Sequence, residues 1–399
     1  MLRLVAPAVA LAVGAVLSLA TTGALAQPLG DGSEATDPDD STTTAVTPAT
    51  VSAPPDSSPP EPAPMPDTSL VGIKIYGDTL FQAVNHGAVK TTFAAAQLDL
   101  FLTADVGKLG FLSEIVFEAH EGNTTVLDVE RAQVTYLIDN WLRLRAGRSH
   151  TAFGYYNDAY HHGNIFELTT QRPLGVGFED QGGLLSAHLV GCGADGTFDL
   201  GKAGSLRYDA EIGNGRLADV SAVASAKAGK TEKMANVRLR WLTPLDGLAI
   251  GINGVYDLVP GKEATQTAPD RPKVVEGIGG IHAYYLEHKV HLLAESFLIH
   301  HEAPGQAATN TLGAFAELGY TFGQFTPYVR PEYIRFPRGG DPIFQEPGAF
   351  WEGTTSAFDL RFGVRWLASP QLALKLEGER FVRGGGPQEI ITTKLAFGF

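Results

Sequence analysis

The sequence predicts an all-β fold: a transmembrane antiparallel β-barrel of about sixteen strands, with fourteen to eighteen compatible, preceded by a disordered arm. Three observations carry this prediction. Apolar and polar residues alternate with period two over segments of about ten residues, the mark of strands with two unlike faces. The connections between those segments are alternately short and long, as they are in outer-membrane barrels. Beyond the N-terminal segment, no run approaches the roughly 18 to 20 uninterrupted apolar residues of a transmembrane helix. The 46 glycines fit many strands and turns better than long helices.

The first 26 residues read as an export signal. Arg3 supplies the positive start, Val5 to Ala20 the apolar stretch, and Ala24-Leu25-Ala26 the small-residue cleavage pattern. Residues 27–68 change character to Pro, Ser, Thr, Asp and Ala, with eight acidic residues and no Lys or Arg. Such a segment cannot bury enough apolar surface to offset its chain entropy, and is expected to be a disordered, partly extended arm. Much of the formal charge of -14 therefore belongs to the arm, and residues 69–399 form the barrel. The acidic balance argues against a nucleic-acid partner, which calls for a basic face. The single Cys192 excludes an intramolecular disulfide framework and a Cys-based zinc ribbon.

Within residues 69–399 the alternation is plain. Phe358, Leu360, Phe362, Val364 and Trp366 share one face, while Asp359, Arg361, Gly363 and Arg365 share the other. Ile391, Thr393, Leu395, Phe397 and Phe399 repeat the pattern, as do Val237, Leu239 and Trp241 against Asn236, Arg238 and Arg240. Strands are expected near 70–82, 92–104, 109–120, 126–138, 141–149, 183–192, 204–213 and 234–243. The second half continues with 247–256, 274–286, 289–301, 310–322, 325–336, 355–367, 371–383 and 388–399. Connections after even-numbered strands are tight, as at Asp139-Asn140 and Gly323-Gln324, with 193–203 the exception. Those after odd-numbered strands include the long 150–182, 214–233, 257–273 and 337–354. Trp141, Tyr320, Tyr333 and Trp366 stand near strand ends, where an interfacial girdle belongs. A strand closing on Phe399 resembles the ending of proteins inserted by the outer-membrane assembly machinery.

Sixteen strands enclose an aqueous interior, whereas eight are filled by their own side chains. Lys or Arg facing mid-membrane lipid costs about 2–4 kcal/mol each, so the charged faces must turn inward. This assigns Glu114, Glu118, Arg143, Arg145, Arg238, Arg240, Arg361, Arg365, Lys375 and Glu377 to the pore lining. They can brace the wall as ladders of opposite charge, set the field that a solute crosses, or do both.

The longest connection, 150–182, is too apolar and aromatic to sit wholly in water, and is expected to fold inward and narrow the passage. Its candidate constriction residues are Asp158, His161, His162, Glu167 and Arg172. Its carboxylates, facing Arg143 and Arg145, would set up a transverse field favouring polar or zwitterionic solutes.

At this point the chain resembles a known family. Leu142-Arg143-Leu144-Arg145-Ala146-Gly147-Arg148, followed by Phe153-Gly154, is similar to the G-R-x-x-x-P-F-G motif of the phosphate-selective porin family, departing from it at Ala152. The likeness is strongest over Arg131 to Gly175. It implies a Gram-negative outer-membrane porin, but one cation in the loop, Arg172, against Asp158, Glu167, Glu179 and Asp180 does not support phosphate as the solute.

Rival chemistry finds little purchase. His161-His162, near Asp158 and Glu167, is the pair best placed for a divalent metal, yet loop histidines are usually plain polar residues. Adjacent strand residues point to opposite faces, so His300-His301 cannot form one site. Ser296 and His300 are about 13 Å apart along a strand, and no nucleophile elbow, phosphate loop or HExxH occurs. No catalysis, metal or cofactor is expected. The expected function is passive diffusion of small hydrophilic solutes across the outer membrane, with outer-membrane lipid around the barrel. A homotrimer is compatible, as is a cell-wall or periplasmic partner for the arm. The alternative is a non-conducting structural or adhesive barrel whose arm tethers a partner.

Overall fold

The computed structural model describes residues 70–399 except 87, 121–123, 161–163, 179–181, 219–229, 264–269, 346–349, 352 and 354. The export signal, the arm and the His161-His162 pair thus lie outside the described residues. Sixteen strands follow one another along the chain. They are β1 (Leu70–His86), β2 (Ala88–Val106), β3 (Leu109–His120), β4 (Thr124–Asp139), β5 (Leu142–His150) and β6 (His188–Asp199). Next come β7 (Ser205–Asn214), β8 (Met234–Leu242), β9 (Leu248–Val259), β10 (Val274–Tyr285) and β11 (Val290–Glu302). The last are β12 (Thr309–Tyr320), β13 (Phe325–Arg335), β14 (Ala357–Ser369), β15 (Leu372–Arg383) and β16 (Gln388–Gly398). Each strand pairs with its sequence neighbours, and β1 pairs antiparallel with β16 to close the barrel.

The walls invert the usual inside-out rule. Along β8, Val237, Leu239 and Trp241 are exposed on the outer face while Asn236, Arg238 and Arg240 are buried on the inner one. A water-soluble sandwich would place them the other way round; lipid outside and polar groups within account for this arrangement. At the short-turn end, Tyr136, Trp141, Phe198, Trp241, Tyr320, Phe322, Phe325, Trp366 and Phe399 form an exposed aromatic collar.

Two boundaries depart from the sequence reading. β6 begins at His188 and runs to Asp199 rather than spanning 183–192. Leu184 instead belongs to the preceding loop, its N–H donating to the Gly175 carbonyl (3.2 Å). Gly193, Ala194 and Gly196 carry too little side chain to show alternation, which hid the second half of the strand. The 193–203 connection thereby shrinks to a tight turn with a single 3-10 turn, Gly201–Ala203, and ceases to be an exception. β1 and β2 are also longer than expected, 17 and 19 residues, and form a hairpin reaching His86 and Ala88.

Candidate functional site

The described residues of the connection after β5 turn back into the barrel and bond to the inner wall at many points between Ala152 and Leu174. Among the described residues it carries one short α-helix, α1 (Tyr156–Ala159), and a 3-10 turn at Leu174–Val176. Ahead of α1, Gly154 adopts a φ of +60°, and a side chain there would collide with the Glu295 carboxylate. That carboxylate accepts the N–H groups of Tyr155 (2.7 Å) and Tyr156 (2.6 Å). Arg238 of β8 donates to the Gly154 carbonyl (2.8 Å), to Asp158 (2.9 Å) and to Asp209 of β7 (2.9 Å). An arginine buried at this depth is tolerable only with such a complete set of acceptors.

Further along, Arg365 of β14 donates to the Phe166 carbonyl (3.1 Å), and Lys375 of β15 to the carbonyls of Asn164 and Thr169. Arg330 of β13 reaches the Thr169 hydroxyl (2.5 Å) and the Gln171 carbonyl (2.8 Å). Glu332 accepts the Leu174 N–H (2.6 Å). Tyr155, Tyr156, Tyr160, Phe153, Leu184 and Leu185 pack with Phe297 and Phe315 of the wall as one apolar cluster. The loop's aromatic content is therefore spent on the barrel's own interior face.

The loop candidates separate on inspection. Asp158 is partly exposed and paired with Arg238 of β8. Glu167 is buried; burial pushes its carboxyl up, against the opposing pull of Lys375. Arg172 braces the loop itself, donating to the carbonyls of Tyr160 (3.0 Å) and Val176 (2.9 Å) and to the Asn157 side chain (2.8 Å). Its guanidinium also lies 4.5 Å from the Phe178 ring centre.

The wall candidates fall into two groups. Arg361 is buried among Asp359 (2.8 Å), Glu377 (3.0 Å) and Glu379 (2.9 Å), and Arg240 is buried on β8 in register with Arg207. With Arg238, Arg365, Lys375 and Glu377 they form the wall beneath the loop. On the opposite arc, β3 to β7, the arginines are less covered. Side chains of Arg131, Arg143 and Arg145 keep 14%, 15% and 13% of their surface, while their partners Glu114, Asp195 and Glu211 keep 0%, 5% and 0%. Glu118 is half-buried on β3, in register with Gln97. Beside Arg131, Arg143 and Arg145 a solute meets guanidinium edges with their carboxylates set back, whereas beside Arg148 the carboxylate of Asp128 is the more exposed partner, 39% against 12%.

Several residues central to this arrangement carried little sequence signal. Glu295 sits within the apolar run Leu292-Leu293-Ala294-Glu295-Ser296-Phe297 and reads as an isolated charge. His301 is buried, its ring nitrogens 2.9 Å from Glu276 and 2.9 Å from Asp341 of the 336–356 connection, whereas His300 faces outward beside Asn310. Burial works to raise the Asp341 carboxyl, but hydrogen bonds from His301 and from the Ile343 and Phe344 N–H groups outweigh it and hold it low. Among the described residues no cluster of three or more His, Cys, Asp or Glu side chains is arranged to hold a metal.

No family model matches the sequence, and no curated protein matches it. Solved structures do share the fold. The trimer form of OmpT, an outer membrane protein of Vibrio cholerae, superposes with a TM-score of 0.58 at 10% identity, over 84% of this chain and 100% of its own. An anion-selective porin from Comamonas acidovorans gives 0.58 at 11% identity over 83% and 100%. OmpF of Salmonella typhi in complex with daunomycin gives 0.54 at 12% identity over 82% and 97%. The chain thus has the closed barrel fold of outer-membrane porins and channels.

Proposed function

We propose that this protein is an outer-membrane diffusion channel for small polar or charged solutes, with the inward loop narrowing the passage. The observation that carries the reading is the uneven covering of the inner wall. On the β8 to β16 side the loop seals buried charges, whereas on the β3 to β7 side Arg131, Arg143 and Arg145 remain partly exposed. Buried guanidinium groups at membrane depth are stable only beside acceptors or water, so exposed ones mark where water runs. Because the carboxylates paired with these three arginines lie deeper than the guanidinium groups, the passage favours anions in place of the even-handed transverse field suggested by the sequence. The motif at 147–154 adds support for a porin-type channel and none for phosphate. The fold shared with a protein solved as a trimer supports trimeric assembly.

Planar-bilayer recording tests this directly. Steady conductance in KCl with a reversal potential displaced toward chloride is expected. Absence of conductance would favour the second reading, a non-conducting scaffold displaying its arm. That reading draws on the apolar cluster in which Tyr155, Tyr156 and Tyr160 of the loop and Phe336, Ile343, Phe344 and Trp351 of the 336–356 connection pack with wall residues.

A further inference from the structure

On the inner face of β1 to β4, aromatic rings keep part of their surface open. Phe297, Phe315, Tyr284 and Tyr328 also face inward, but they are buried. Tyr76 of β1 and Phe101 of β2 are only half-buried, and they meet edge to face with ring centres 5.3 Å apart. Gly398 of β16 leaves room for the Tyr76 ring, which a side chain there would strike. Phe166, brought across by the inward loop and also half-buried, adds a third ring 5.6 Å from Tyr76.

Cations flank these rings. Register places Lys74 opposite Phe101, Phe101 opposite Glu114, and Glu114 opposite Arg131. Arg131 lies 5.3 Å from the Phe101 ring centre and, among the described residues, is held to Glu114 through Nε alone (2.5 Å), leaving the end of its fork for another acceptor. Lys74 is exposed, and among the described residues it makes no ion pair. The nearby carboxylates Glu114 and Asp99 are buried, so the available surface of the cluster is aromatic and cationic.

Half-open rings gain nothing from water, yet they offer a face to a planar apolar group. A fork-shaped guanidinium and a lone ammonium beside them match a carboxylate. We propose that Tyr76, Phe101, Phe166, Lys74 and Arg131 form a subsite for aromatic monocarboxylates. The ring stacks against Phe101 and Tyr76 while the carboxylate lies between Lys74 and the Arg131 Nη groups. An uncharged sugar would leave both cations unused, and acetate would leave the rings unused. Contacts of this kind bind weakly enough for release, as permeation requires. The assignment rests on the channel reading only for its role in permeation; the binding itself does not need a current.

The experiment compares sodium benzoate, sodium acetate and glucose on the full chain. In planar bilayers benzoate is expected to depress KCl conductance at about tenfold lower concentration than acetate, the worth of added ring contacts, with glucose inert. Phe101→Leu keeps the apolar volume and should erase the benzoate advantage. Lys74→Gln, at an exposed position, should weaken benzoate and acetate alike. Saturation-transfer NMR on detergent-solubilised protein reads binding without current. Benzoate signals that are lost in Phe101→Leu, in a protein that does not conduct, would uphold the subsite and remove the channel. Normal conductance with equal effects of benzoate and acetate, or an advantage unchanged in Phe101→Leu, would overturn the subsite and leave the channel standing.

Discussion

Glu377 of β15 holds Thr170 of the inward loop twice, accepting its hydroxyl at 2.5 Å and its backbone N–H at 3.1 Å. The same carboxylate takes the Tyr328 hydroxyl (2.9 Å) and Arg361 (3.0 Å), so one side chain joins the loop to β13 and β14 as well as β15. Deleting residues 155–170 removes α1 and the part of the loop held by Glu377, and touches no residue of a strand. Conductance is then expected to rise severalfold with the barrel still heat-modifiable on gels. An unchanged conductance would put the loop outside the current path.

Wall and loop charges should differ in effect. Arg143→Ala with Arg145→Ala leaves Asp195, Asp209 and Glu211 without those partners and should move the reversal potential toward cations. Asp158→Asn, at a partly exposed position, should move it toward anions, whereas Glu167→Gln should leave it in place because that carboxyl is buried. Equal shifts from Asp158→Asn and Glu167→Gln would show that Glu167 faces the solute path.

Gly154 occupies the left-handed region at φ +60°, where an L side chain costs about 1–2 kcal/mol. In Gly154→Ala the new methyl also meets the Glu295 carboxylate, so Tyr155 and Tyr156 lose their shared acceptor. Weaker near-ultraviolet tyrosine dichroism and easier proteolysis within 150–187 are expected at unchanged β content. Wild-type resistance in this variant would show that Glu295 does not hold the loop.

The 336–356 connection should respond to acid. The depressed Asp341 carboxyl contributes stability that is present above the ordinary Asp value of about 3.9 and is lost as pH falls through its lower folded value. The connection therefore stays seated at neutral pH and loosens only below about pH 4. Trp351, buried with its indole N–H on the Gly182 carbonyl (2.6 Å), reports the event. Its emission, isolated by subtracting the Trp351→Phe spectrum, should shift red below that pH, and Asp341→Asn should show the red-shifted emission already at neutral pH. A shift centred near pH 6 in the wild type would point to a histidine instead.

All sixteen strands, their inward and outward faces and the sorting of short and long connections were legible in the chain, because period-two alternation is a local property set by a lipid exterior and a polar interior. Where alternation was written in small residues, as at Gly193 to Gly196, the boundary was lost. That the 150–182 connection packs its aromatic side chains on other parts of the barrel was suggested by its composition. Which groups meet there was decided only by tertiary structure. Asp158 pairs with Arg238, eighty positions away, and Glu295 and Glu377 seat a loop more than a hundred residues earlier. The same holds for the cluster of Tyr76, Phe101, Phe166 and Arg131. Closure of β1 on β16 and the return of the loop across the interior bring these groups together, and no spacing along the chain encodes a contact made by closing a sheet upon itself.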